Sequence, residues 1–426
     1  MEDRVMKRIF GLVCGLIVSL LVGCVTAGAD VVLDWNAIAV NTAVANKQNP
    51  FAQARYAAIV QLAVFEAVNS ITHGYQPYLG TITAAPDASP DAAAIEAAYQ
   101  VLLAYFPASQ STLSTAYLNS MGAIPDGPAK TDGIAAGDAA ASAMMALRQN
   151  VGSSPALFFP PGPPVPGDWQ ATISCPIENG IAEGIAYQWS SVTPFGISSA
   201  SDFLLDPPPA LTSKKYAKAY NEVMTVGSLN STQRPQDRAN VALFYAASSP
   251  TQVFNQAAEQ VAAAQGRSLS ENARALALIN MAMSDSLVAS FLNKYTYTFW
   301  RPETAIHGGN TDGNPKTVGD PNWAPFITTP CFPSYPSNHG SAGNAAAEVM
   351  KHLYGDDGLS MTLTNPAVPT IVLQYTSFRQ ITADISDARV YGGIHFRTDQ
   401  EAGEDLGKAV GKAVYKGNLR PVDGDD

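Results

Sequence analysis

The sequence predicts an all-α protein built as two helical bundles. Three observations lead there. Apolar and Ala-rich stretches recur at helical spacing along most of the chain, one dense Pro-rich stretch divides them, and no region is strand-rich. Of the 426 residues, 46% are hydrophobic and only 14% charged, which suits a large buried core under a modestly charged surface.

The first 29 residues read as an export signal rather than as part of the fold. Arg4, Lys7 and Arg8 precede an apolar run over 9–22 that is too short for a comfortable membrane span. Two exits follow it. Leu21-Val22-Gly23-Cys24 resembles a bacterial lipobox, in which Cys24 carries a lipid, and Ala27-Gly28-Ala29 resembles an ordinary signal-peptidase site that makes Asp30 the mature start. Either exit places the protein outside the cytoplasm: periplasmic, extracellular or lipid-anchored to a bacterial membrane. Contact with a membrane is expected only through that lipid at Cys24.

The N-terminal bundle spans 30–154. Asn49 caps and Pro50 opens a helix over 51–71, in which Ala57, Val60, Val64, Ala67, Val68 and Ile71 recur at helical spacing before Gly74 ends it. His73, just before that Gly, reads as a C-cap. Ala-rich helices are expected over 90–106, 109–121 and 133–150, since alanine is the best helix former. Pro-rich sequence over 158–169 cannot be helix interior, so 155–211 reads as an irregular crossover whose aromatic residues anchor it to the body.

The C-terminal bundle spans 212–426, with helices expected over 212–228, 232–247 and 251–265. Ser268-Leu-Ser-Glu271 has the form of a capping box and opens a long helix that carries Lys294 on its last turn. Loop sequence follows to Tyr335. Further helices are expected over 337–354, 368–383 and 397–415. Cys175 and Cys331 are the thiols of the body, and their pairing stays open at this stage.

Three short islands carry the chemistry. They are Lys294-Tyr-Thr-Tyr-Thr-Phe-Trp-Arg301-Pro302, Tyr335-Pro336-Ser337-Asn338-His339-Gly340 and Arg389-Val-Tyr-Gly-Gly-Ile-His395. Arg301 and Arg389 suit oxyanions because a planar guanidinium makes two parallel hydrogen bonds, and Lys294 adds a point charge. Ser337 and Asn338 stand where a loop enters a helix, where free N–H groups attract anions. His339 and His395 are the candidates for attack or ligation at the central atom and for proton transfer on the opposite side. His307 follows the Arg-Pro pair and is a candidate for the rim of the site, whereas His352 reads as a surface residue. The net charge of −11 disfavours nucleic acid as a partner.

Together the islands resemble the signature of the vanadium-dependent haloperoxidase and type 2 phosphatidic acid phosphatase superfamily: Lys-x6-Arg-Pro, Pro-Ser-Gly-His and Ser-Arg-x5-His. Weaker likeness over 205–228 is similar to bacterial vanadium-chloroperoxidase-like proteins. The resemblance implies a vanadium chloroperoxidase/acid phosphatase-like fold with the site in the C-terminal bundle. It implies that Lys294, Arg301, Ser337, Asn338 and Arg389 hold vanadate, or phosphate in the same place. His395 becomes the axial ligand or the phosphate nucleophile, and His339 its acid–base counterpart. Asp399, four residues after His395, has the helical spacing to orient that imidazole, against the plain reading of a helix-surface carboxylate.

Two positions depart from the signature. Asn338 replaces the usual Gly, and Ala388 replaces the usual Ser. The run from Phe299 is similar to the haloperoxidase branch, and Phe332 to its chloroperoxidase-like members, whereas Phe291 stands where chloroperoxidases have a Trp. The implied activity is oxidation of halide by hydrogen peroxide to hypohalous acid, with Lys294 polarising the peroxide and a small organic molecule as acceptor. Alternatives are an exported acid phosphatase acting on phosphate esters through a phosphohistidine at His395, and a non-catalytic phosphate-binding surface protein. Halide preference and oligomeric state are left open.

Overall fold

The computed structural model describes residues 30–178 and 180–422, so the expected export signal, including Cys24, lies outside the described residues. The chain is mostly helical, as its periodicity predicts. The N-terminal half holds α1 (Val31–Ala45), α2 (Pro50–Thr72), α3 (Pro90–Tyr105), α4 (Gln110–Gly122) and α5 (Pro128–Leu147). The C-terminal half holds α6 (Lys214–Val226), α7 (Gln236–Ala247), α8 (Pro250–Gln265), α9 (Leu269–Tyr297), α10 (Pro302–His307), α11 (Asn338–Tyr354), α12 (Phe378–Tyr391) and α13 (Arg397–Gly417).

The caps follow the residues that favour them. Asn49 accepts from the Ala52 N–H at the start of α2, and Pro50 occupies the first turn, where a missing N–H costs nothing. Ser268 and Glu271 form the reciprocal capping box at α9. His73 caps α2 in the left-handed region with φ 54°.

The expected helix over 368–383 is corrected. Residues 373–375 are a strand: β3 (Met361–Leu363) and β4 (Leu373–Tyr375) pair antiparallel with Met361 opposite Tyr375. The helix starts only at Phe378, where the Ser377 side chain accepts from the Gln380 N–H. The apolar run over 368–373 is too short for periodicity to separate helix from strand. The expected loop over 301–335 contains the single-turn-and-a-half α10.

α9 is the axis of the body. It is long and apolar enough to cross a membrane, yet 94% of its most apolar window is buried inside the protein, so it is a core helix. α2 packs along it from one half and α11 and α13 from the other, and one continuous core runs from Val32 to Leu419.

The crossover over 155–211 is anchored rather than loose. Trp169 and Trp189 are buried, and Phe51 packs edge-on to Trp189. Asp285 of α9 accepts the backbone N–H groups of Phe195, Gly196 and Ile197. Burial pushes its carboxyl up to about 6, against those three hydrogen bonds. Cys175 of the crossover is disulfide-bonded to Cys331, which adjoins the second island.

The approach of α13 to α11 positions the site. Gly403, Gly407 and Gly411 recur every four residues on α13, so they share one face. A Cβ on Gly407 would sit 2.2 Å from the Ser341 carbonyl oxygen of α11. The bare backbone therefore lets the two helices touch. At the N-terminal end of this contact the Ser337 N–H donates to the Asp399 carbonyl, which ties the second island to the first turn of α13, just after the third.

Candidate active site

Each island ends up buried at a helix terminus. Lys294 lies on the last turn of α9, Arg301 immediately precedes α10, and Ser337 caps α11 by accepting from the Gly340 N–H. Arg389 is on the last turn of α12. Gly393, at φ 81°, then reverses the chain so that His395 returns beside Arg389 ahead of α13. A side chain there would need the left-handed conformation and would meet the Gly227 carbonyl oxygen at 2.3 Å.

His395 is the centre of the arrangement. Its Nε2 is 2.9 Å from Arg301 Nη1, and its Nδ1 is 2.9 Å from Asp399 Oδ2. A guanidinium can only donate, so Nε2 is the acceptor and Nδ1 carries the proton given to Asp399. The imidazole is thus held neutral, with its Nε2 lone pair turned toward the cationic groups. Burial, then Arg301, Lys294 and Arg389, hold its pKa well below the ordinary histidine value.

Asp399 is fully buried. Oδ2 also accepts from the Ser334 hydroxyl at 2.6 Å and from the Phe396 N–H at 3.1 Å. Burial pushes its carboxyl up to about 6, opposed by Ser334, Lys294 and Arg301. Asp399 is therefore an orienting group for His395 and not a surface carboxylate. With Asp399→Asn the imidazole loses its fixed tautomer, and oxoanion affinity or turnover should fall about 10–100-fold with the fold retained. Equilibrium binding beside circular dichroism checks this.

The cationic groups divide into two kinds. Arg301 donates from Nε to the Phe332 carbonyl and from Nη1 to the Ile394 carbonyl, each at 2.8 Å, but its buried Nη2 has no partner. Arg389 has no partner at buried Nε or Nη2. Burial lowers Arg301 to about 9 and Arg389 to about 10, so both stay charged at neutral pH. Unpaired buried guanidinium nitrogens are costly unless an acceptor arrives.

Lys294 differs from the expectation that it binds the anion directly. Its three N–H groups go to the carbonyls of Pro333, Ser334 and Pro336. It clamps the second island and contributes fixed positive charge, because three carbonyls of that turn reach it first. Burial and Arg301 pull its pKa well down, and Asp399 opposes them. The aromatic ring of Phe332 lies 5.3 Å from Lys294 Nζ and 5.0 Å from the Arg301 guanidinium carbon, so it supports both cations.

His339, Arg389, His395, Asn338 and Phe332 line one cavity of about 540 Å³. His339 Nε2 lies 3.3 Å from the Ser248 carbonyl oxygen, which leaves Nδ1 as its basic nitrogen. Burial and Arg389 hold its pKa well below the ordinary value. Asn338 is fixed by the Ser290 hydroxyl, which donates to its Oδ1 at 2.7 Å.

Ser337 works as a helix cap, with its hydroxyl oxygen facing Gly340. His307 is not brought into the cavity lining; its Nε2 contacts the Trp323 carbonyl at 2.7 Å. Ser334 and Ser290 are functional neighbours that the sequence reading missed. An isolated buried Ser has no signature, although Ser334 lies within the second island's approach.

Both imidazoles are expected to stay neutral as the pH falls through about 6.5, where an ordinary histidine takes up its proton. The unfolded chain takes up these protons there and the folded chain does not. The imidazoles' contribution to stability is therefore present above about 6.5 and is lost as the pH falls further. Asp399 has the opposite sign: its raised pKa favours the folded state at low pH, and that contribution is lost as the pH rises through about 6. Imidazole NMR resonances of His339 or His395 titrating near 6.5 would contradict the assignment.

Known proteins resemble this chain in sequence and in fold. Residues 274–424 match the family model described as the VCPO second helical-bundle domain, a span that holds all three islands. This part of the chain is therefore similar to the second helical bundle of vanadium chloroperoxidases, in keeping with the superfamily whose signature the islands resemble. The vanadium chloroperoxidase of Curvularia inaequalis is 24% identical over 277 residues, 49% of this chain. The chain spans 45% of the length of that relative in this match.

Solved structures agree on the fold. A bacterial vanadium-dependent iodoperoxidase superposes with TM-score 0.76 at 21% identity, covering 93% of this chain and 98% of its own. An apo-type bacterial vanadium-dependent chloroperoxidase gives 0.70 at 16% identity, covering 86% and 92% respectively. These likenesses of fold cover both halves of the chain, whereas the family model covers residues 274–424.

Proposed function

We propose that the protein is a vanadate-dependent haloperoxidase that oxidises halide with hydrogen peroxide to hypohalous acid. The observation that carries this reading is the set of unpaired, buried nitrogens of Arg301 and Arg389 around the neutral His395. A tetrahedral oxoanion gives those donors acceptors and compensates both charges. Vanadate and phosphate both fit this donor set; the chloroperoxidase and iodoperoxidase relatives favour vanadate.

Arg301 and Arg389 would hold the oxoanion's oxygens, with Nε2 of His395 facing its centre. When bound, vanadate supplies a Lewis-acidic centre that activates hydrogen peroxide. His339, neutral and lining the same cavity, would accept and return the proton through Nδ1. Lys294, with Phe332 beside it, keeps the surroundings positive as charge develops on oxygen. In the net reaction the halide loses two electrons and the peroxide O–O bond breaks. One oxygen leaves in hypohalous acid and the other in water, with one proton consumed.

A phosphatase is the second reading. It is favoured by the neutral His395, whose Nδ1 proton is held by Asp399; its Nε2 lone pair, which accepts from Arg301 Nη1 in this structure, would turn to phosphorus once a phosphate oxygen takes that N–H. Export is part of the proposal, and the disulfide supports it, since disulfides persist in oxidising compartments.

The test is to incubate protein purified without phosphate with orthovanadate and hydrogen peroxide, then measure oxidation of iodide, bromide and chloride. Hydrolysis of p-nitrophenyl phosphate is measured beside it on the vanadate-free protein. Vanadate-dependent halide oxidation is expected. Hydrolysis alone, inhibited by vanadate, would replace this reading with the phosphatase.

A further inference from the structure

The two imidazoles of the site are held unequally. His395 is fixed at both ring nitrogens, by Arg301 and by Asp399. Among the described residues, the His339 ring has one hydrogen bond, from Nε2 to the Ser248 carbonyl. A carbonyl only accepts, so this contact admits the Nε2–H tautomer alone and leaves Nδ1 as the nitrogen that can take a proton. The position of that carbonyl therefore decides which way the imidazole faces.

Ser248 belongs to a two-residue linker, Ser248-Ser249, between α7 and α8. Both residues are extended, at φ −117°, ψ 131° and φ −78°, ψ 157°, so the helical ladder of α7 ends before them. The linker is pinned from outside the cavity instead. Asn365, on the connection between β3 and β4, donates from its amide nitrogen to the Ala247 carbonyl at 3.0 Å and to the Ser248 hydroxyl at 2.8 Å. Its Oδ1 accepts from the Ala367 N–H at 2.8 Å, which fixes the direction of the amide. From α2, Gln53 Oε1 accepts from the Ser249 hydroxyl at 2.6 Å. Asn365 is buried, and no residue of the β3–β4 connection lines the cavity of the cage. With Ser248 it lines a separate, smaller pocket of about 100 Å³.

Closing the end of α7 would need one donor on the Ala247 carbonyl. The Asn365 amide also takes hold of Ser248, the residue whose carbonyl receives His339. We propose that Asn365 is a positioning residue for His339: by fixing Ser248 it sets the tautomer and direction of an imidazole that it does not touch. The proposal deepens the haloperoxidase reading, in which His339 handles the proton at Nδ1. Without the amide, the Ser248 peptide can turn and its carbonyl can leave Nε2. The imidazole then samples the other tautomer, and the proton-accepting lone pair faces the cage in only part of the molecules. Arg301, Arg389 and His395 keep their own partners, so the hold on the oxoanion is left as it was.

Asn365→Ala removes both hydrogen bonds to the linker. Asn365→Ser, whose side chain is too short to reach both acceptors, is the milder second variant. Gln260→Ala is the control: Gln260 exchanges hydrogen bonds with the Thr362 backbone, so its loss loosens β3 without touching the linker. Protein labelled with nitrogen-15 at histidine gives the tautomer by long-range proton–nitrogen correlation. The His339 signals are those missing from His339→Ala. Orthovanadate binding, and peroxide-dependent oxidation of iodide by the vanadate-loaded protein, are measured on the same preparations.

The unsubstituted protein and Gln260→Ala should show His339 protonated at Nε2 alone. Both Asn365 variants should show a mixture of tautomers. Their kcat and kcat/KM for hydrogen peroxide should fall together, about tenfold, with the orthovanadate Kd within about twofold of the unsubstituted protein. An unchanged tautomer or an unchanged kcat in the folded Asn365 variants overturns the proposal. So does an orthovanadate affinity that falls as far as kcat, or an equal loss of kcat in Gln260→Ala, since either marks a general loosening of the fold. No iodide oxidation by the unsubstituted protein strikes at the haloperoxidase reading instead, and the tautomer spectra then decide the positioning of His339 by themselves.

Discussion

Replacing His395 with Ala is expected to abolish turnover, lowering it at least about 10³-fold, as removal of a reacting group does in other enzymes. The imidazole is the one group of the cage with a lone pair facing the cationic centre, and its proton is already committed to Asp399. Alanine removes that lone pair and leaves Arg301 Nη1 with the Ile394 carbonyl as its remaining partner. It also takes one donor away from buried Asp399, while Ser334 and the Phe396 N–H remain. Some stability should be lost, on the order of 1–3 kcal/mol for a disturbed buried polar contact. The fold should survive, because the helices around the site are held by apolar packing. Unchanged turnover in a folded His395→Ala protein would remove the assignment of the site, under the haloperoxidase and the phosphatase readings alike.

Gly407→Val is the second large effect, and it acts on the fold first. The built Cβ meets the Ser341 carbonyl oxygen at 2.2 Å and the Asn344 Cβ at 2.8 Å, both belonging to α11. Backbone cannot move aside as a flexible side chain can, so α13 must back away from α11. The expected loss is about 3 kcal/mol or more, at the upper end of overpacking costs. Denaturant unfolding measures it as a lower midpoint. Oxoanion affinity should fall too, since this helix pair holds the Ser337 N–H to the Asp399 carbonyl and so keeps His395 in place. A Val variant with unaltered midpoint would show that the helices are not in contact there.

Much of this site was legible in the sequence because each island is short. Arg389 and His395 are tied together by a helix end and a Gly turn, so their spacing alone predicts a shared site. Asp399 was legible by the same logic, one helical turn beyond His395. The direction of Lys294 was not. A lysine reads the same whether its ammonium meets an anion or backbone carbonyls, and carbonyls leave no trace in side-chain sequence. The share of the N-terminal half was hidden for a related reason: Pro50 and Phe51 reach the cavity only because α2 packs along α9. Spacing carries no information on contacts so remote in sequence.

The fold shows the same division. Helices with caps and long periodicity came out within a few residues, as α9 does from its Ser268–Glu271 box. The start of α12 did not, although Ser377 three residues before Gln380 carries the cap signal, because the apolar run just before it competes as helix. α1 comes shortly after the apolar run over 9–22 and is not among the expected helices, although Asp30 caps it.

The most direct test of the central claim is an equilibrium titration of phosphate-free protein with orthovanadate, repeated with Arg389→Ala and His395→Ala. The account predicts saturable one-to-one binding, displaced by phosphate and lost or greatly weakened in both variants. No saturable binding by the folded protein, or binding indifferent to both substitutions, would contradict an oxoanion cage built on Arg301, Arg389 and His395.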